Sequence, residues 1–84
     1  MTDYWSVEGY SEALEGKDCK TIMSMIVHDI RNRTSSIQTS EQLLQQYLDE
    51  DNPSSKVYIS ELLEIIKSHS QHIANILQAV SQQT

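Results

Sequence analysis

Eighty-four residues with twelve acidic against six basic side chains give a formal net charge of −6. That balance argues against a nucleic-acid partner, because no basic stripe is present to neutralise phosphates. At this length a single hydrophobic core is marginal, so a staple, a metal or another chain must supply the rest. Cys19 is the only cysteine, which rules out an internal disulfide and leaves no thiol cluster for structural zinc; no metal is expected. Read as an ordinary small helix residue, a lone thiol fits a reducing cytoplasm. The longest wholly apolar runs are two or three residues. No membrane contact and no signal peptide are therefore expected of this segment, and any anchor of a parent protein would lie outside it.

Residues 1–15 hold Tyr4, Trp5 and Tyr10, three of the five aromatics, beside Asp3, Glu8, Glu12 and Glu15. Lacking a clear period, the stretch reads as a linker or as a short lead-in helix around Ser11 to Glu15, interrupted by Gly9 and Gly16. Its aromatics either dock on the end of the following bundle or belong to the edge of a neighbouring domain.

Residues 16–84 read as one helical hairpin. A first helix is expected over about 17–49, a turn over 50–52 and a second helix over about 53–82. In the first, Ile26, Ile30, Arg33, Ile37, Ser40, Leu44 and Tyr47 alternate steps of four and three, the seam spacing of packed long helices. Met23, Met25, Leu43 and Leu48 widen the stripe, while the polar Arg33 and Ser40 interrupt it. Pro53 pushes Asn52 out of helical conformation and suits the first position of a new helix, which makes Asn52 its expected N-cap. The second seam runs Ile59, Leu62, Ile66, His69, Ile73, Ile76 and Val80 without a break. Two helices of roughly 30 residues, about 45 Å each, joined by a short turn make an antiparallel hairpin. Stripes this wide predict an all-α homodimer in which two hairpins form a four-helix bundle.

With Ile26 and Ile30 on the seam, His28 falls on the outermost face of the first helix. Asn32 lies one turn further along the same side, and Asp29 sits at the flank, within rotamer reach of the imidazole. An exposed imidazole near neutral pH keeps one nitrogen free to act as a nucleophile. A carboxylate beside it can accept the hydrogen bond of the other nitrogen, fix the tautomer and act as general base. His69 falls on the second seam and reads as a core or interface residue. His69 and His72 have no supporting cysteine or second carboxylate for a metal, and Glu61 and Glu64 read as a solvated face.

The run His28-Asp29-Ile30-Arg31-Asn32, followed by Thr34-Ser35-Ser36-Ile37, resembles the phosphoacceptor motif of two-component sensor histidine kinases. The resemblance spans about residues 17 to 82. It implies that His28 accepts the γ-phosphoryl group of ATP, that Asp29 is the general base, and that Asn32 positions the water that hydrolyses the phosphoaspartate of a response regulator. Arg31 is either a phosphate contact or a solvated surface arginine. One departure stands out: where the family often has proline after the Thr or Asn, this chain has Arg33, so the first helix is expected to run straighter.

With two glycines and no glycine-rich loop, the chain has no nucleotide site of its own and cannot phosphorylate itself alone. The resemblance implies a separate kinase domain that binds ATP and Mg, with a response regulator receiver domain as second partner. The expected function is thus the dimerisation and phosphoacceptor domain of a histidine protein kinase. The alternatives are a standalone histidine phosphotransferase of a phosphorelay and a non-catalytic helical dimerisation module.

Overall fold

The computed structural model describes residues 3–50 and 55–83. They form three helices: α1 over Val7–Leu14, α2 over Cys19–Glu50 and α3 over Ser55–Gln83. Both ends of α2 and the C-terminal end of α3 lie within two residues of the positions expected from periodicity. The cap expected at Asn52 and the helix start at Pro53 lie outside the described residues.

Helix α2 begins at Asp18, whose carboxylate accepts the Thr21 amide at 2.8 Å, while its carbonyl accepts the Ile22 amide at 3.0 Å. Hydrogen bonds from the Thr21 side chain and amide hold the Asp18 carboxyl below the usual range. Helices α2 and α3 pack antiparallel. At one end Tyr47 stacks on Tyr58 with ring centroids 5.4 Å apart; at the other, Ile22 and Met25 pack against the cluster that holds Ile76 and Ala79.

The segment before the hairpin is where the structure departs most from the periodicity. The lead-in helix runs over Val7–Leu14 rather than Ser11 to Glu15, and Gly9 lies inside it. Gly9 is there because the chain folds back over it: a Cβ at this position would collide with the Asp3 carbonyl group. Ser6 caps the helix, its hydroxyl accepting the Gly9 amide at 3.0 Å. Gly16, with φ +73°, does interrupt the chain as expected, just past the helix end. The aromatics dock on the bundle rather than face away from it: Tyr10 and Leu14 are buried in one core with Ile76 and Ala79.

That core occupies only the end of the hairpin that α1 covers. Replacing its central Ile76 with Ala is expected to lower stability by about 2–5 kcal/mol, seen as a fall in the denaturant midpoint. Ile76 is fully buried, so the lost contacts leave a cavity.

Elsewhere two helices alone cannot enclose the apolar surface. Met23, Val27 and Leu48 of α2 and Leu63 and Leu77 of α3 are exposed. These residues belong to a second pair of stripes. Met23, Val27, Ile30, Thr34, Ile37, Glu41, Leu44 and Leu48 step by four and three along α2, as do Ile59, Leu63, Ile66, Ser70, Ile73 and Leu77 along α3. Several stripe residues follow, by one position, a residue on the packed side of their helix, as Leu63 follows the buried Leu62 and Leu77 follows the buried Ile76. One position is about 100° of helix rotation. The same rotational sense on antiparallel neighbours brings both stripes to one side of the hairpin. Helix α1 lies on the other side, where the N-terminal segment meets His72, Asn75 and Gln82.

Candidate functional site

His28 projects from the third turn of α2, its side chain 72% accessible. The spacing from Ile26 and Ile30 accounts for this, since both of those side chains turn toward packed surface. Asp29, the next residue, is rotated toward the interior and is only 8% exposed. It sits deeper than a flank position implies, because the N-terminal segment packs over it. Its two oxygens have different partners. Oδ1 lies 3.1 Å from His28 Nδ1, and Oδ2 accepts the Tyr10 hydroxyl at 2.6 Å.

On the far side of the ring, Asn32 Nδ2 stands 3.5 Å from His28 Nε2. That distance is at the outer limit of a hydrogen bond, so Nε2 keeps a largely unengaged lone pair. In the neutral ring a carboxylate at Nδ1 selects the Nδ1–H tautomer, in which the second nitrogen carries the lone pair. The arrangement therefore presents a nucleophilic nitrogen to solvent on an imidazole whose other nitrogen is tied down.

Arg31 is exposed and, among the described residues, forms no hydrogen bond or ion pair. With Lys20 it borders a shallow depression that also contains His28, Val27 and Asn32. Two cations beside an open imidazole, on a chain of net charge −6, favour an anionic reactant at this spot over the rest of the surface. Exposed Cys19 lies at the edge of the same depression.

Arg33 and Ser40, the polar interruptions of the first seam, both lie on the packed side of α2, where Arg33 Nε is buried without a hydrogen-bond partner among the described residues. Ser40 is buried. Arg33 spreads its guanidinium over the Trp5 ring, 3.7 Å from the centroid. Trp5 in turn stacks on His72 at 5.6 Å and its carbonyl accepts Asn75 Nδ2 at 2.9 Å. His69 is half-buried on the inner side of α3, and its pKa is lowered by burial and by the nearby Arg33 and His72. Among the described residues no three His, Cys, Asp or Glu side chains converge on a metal-sized site, and no helix is long and apolar enough to cross a membrane.

The structure thus brings His28, Asp29 and Asn32 together and leaves Arg31 at the rim. It adds Tyr10, which the periodicity did not mark. The signal was present in the steps of three and four from Val7 to Tyr10 to Leu14, but Gly9 within them reads as a break. Compared with models of known families, with curated proteins and with solved structures, the chain matches none.

Proposed function

We propose that this chain is the dimerisation and phosphoacceptor domain of a sensor histidine kinase, with His28 as the residue phosphorylated. The observation that carries the reading is the state of the His28 ring: exposed, with Nδ1 on the Asp29 carboxylate and Nε2 open to solvent. The motif around it, from His28 to Asn32, has the residue types the kinase reaction requires.

In the kinase step, the Nε2 lone pair attacks the γ-phosphorus of ATP held by a separate domain. The N–P bond forms as the bond from phosphorus to the β–γ bridging oxygen breaks, and ADP leaves. Positive charge develops on the ring, and Asp29 stabilises it or takes the Nδ1 proton. In the transfer step, an aspartate oxygen of a receiver domain attacks the same phosphorus; the N–P bond breaks and the imidazole is regenerated. Lys20 and Arg31 line the same depression as His28, and their charges would attract the phosphoryl oxygens.

Asn32 serves the reverse direction. Its amide neither gives nor takes a proton usefully, but it can orient water for attack on the receiver's phosphoaspartate. Asn32→Ala is expected to leave phosphate uptake by His28 intact and to slow dephosphorylation of the receiver on the order of a hundredfold, measured in a kinase that retains its ATP-binding domain. Unchanged phosphatase activity would remove Asn32 from the mechanism.

A second copy of the chain is the partner that covers the two apolar stripes. Packed stripe to stripe, two hairpins form a four-helix bundle. The stripes lie on the side opposite α1, so dimerisation leaves the Asp29–Tyr10 contact in place. Such a domain works in the cytoplasm, where the exposed Cys19 thiol stays reduced.

A further inference from the structure

The Asp29 carboxylate is held from two sides, and only one of its partners belongs to the phosphoacceptor motif. The other is the Tyr10 hydroxyl, 2.6 Å from Oδ2, reached across 19 residues of sequence. Tyr10 is fully buried at the junction of α1 with the hairpin. The Tyr4 and Trp5 rings pack on it with centroids 5.7 and 6.1 Å away, and Leu14 lies one turn on. The phenol therefore has a fixed place, and so does the hydrogen bond it donates. Burial, and then the bond to Asp29, push its pKa up, so it remains a donor throughout the physiological range.

A carboxylate on a side chain only 12% exposed needs its lone pairs satisfied. Without the hydroxyl, the lowest-energy course for Asp29 is to turn toward water and leave the ring. His28 Nδ1 would then lose the acceptor that selects its proton. An unconstrained neutral imidazole prefers the proton on Nε2, which blocks the nitrogen that faces solvent.

We propose that Tyr10 is a positioning residue for His28: its hydroxyl holds the Asp29 carboxylate so that His28 keeps its proton on Nδ1 and presents Nε2 as the nucleophile. The consequence for phosphorylation rests on the reading of His28 given above, whereas the consequence for the tautomer does not. The N-terminal segment is thereby part of the site, and docking of α1 is required for a fully reactive histidine.

The test is Tyr10→Phe in the 84-residue chain, with two readouts. Long-range proton–nitrogen NMR reports the His28 tautomer, and phosphoramidate serves as a small phosphodonor, its P–N bond breaking and ammonia leaving as the ring is phosphorylated. Wild type is expected to show the Nδ1–H form. Tyr10→Phe is expected to shift His28 toward the Nε2–H form and to slow uptake about tenfold, as loss of an outer partner does for ligating histidines.

Val7→Ala trims partly buried packing at the start of the same helix while α1 stays docked and the hydroxyl stays in place, and it should leave both readouts at wild-type values; equal effects from the two variants would mean a purely structural role and overturn the proposal. If Tyr10→Phe loses helicity, 3-fluorotyrosine placed at position 10 keeps the shape and strengthens the donor. It must then move the His28 nitrogen resonances, and no movement overturns the proposal. A wild-type chain that shows the Nδ1–H form yet takes up no phosphate defeats the kinase reading and leaves the Tyr10 assignment standing. An unchanged tautomer in a folded Tyr10→Phe does the opposite.

Discussion

Leu63→Glu combined with Leu77→Glu is expected to convert the chain from a dimer to a monomer, read by light scattering at micromolar concentration. Both leucines lie on the apolar stripe of α3, and in a single hairpin they remain 51% and 55% exposed. Covering the exposed half of each with a second copy would contribute about 0.8–1.5 kcal/mol, half the value for burying a leucine completely. The substitutions remove that gain and bring two carboxylates per copy into the interface, each with a desolvation cost of several kcal/mol. Val57→Glu is the matched control. Val57 is more exposed still, at 62%, but it falls outside the stripe, and its substitution should leave the dimer intact. A wild-type chain that scatters as a stable folded monomer would refute the bundle.

His28→Ala is expected to abolish phosphate uptake while leaving helicity unchanged. The side chain is largely in water, so its removal should alter stability by no more than about 0.5 kcal/mol, the usual range for surface positions. Circular dichroism and phosphorylation of the same sample separate the two effects. Residual uptake would point to another nucleophile, with His69 and His72 the first to consider. A loss of helicity would mean that His28 supports the fold, contrary to its exposure.

The two long helices were legible because their apolar residues recur at steps of three and four over many turns. The second seam, from Ile59 to Val80, has only His69 as a polar member. Arg33 and Ser40 blurred the first, and periodicity alone cannot foresee how each is accommodated. Arg33 is explained by Trp5, a residue 28 positions earlier in the chain. Helix α1 was hidden for a local reason: glycine is a poor helix former, and its place here is set by the Asp3 carbonyl group folding over it. The same limit applied to the site. His28 on the outer face follows from its offset from Ile26 and Ile30, but the depth of Asp29 does not, because it depends on Tyr10 arriving from a separate element. Long-range contacts of this kind leave no period in the sequence.

One measurement bears most directly on the central claim. The wild-type chain is incubated with phosphoramidate, and phosphorus and proton–nitrogen NMR identify the modified nitrogen. The account predicts a single acid-labile phosphohistidine at His28, bonded through Nε2. No phosphohistidine, or phosphate on His69 or His72 with His28 unmodified, would contradict it.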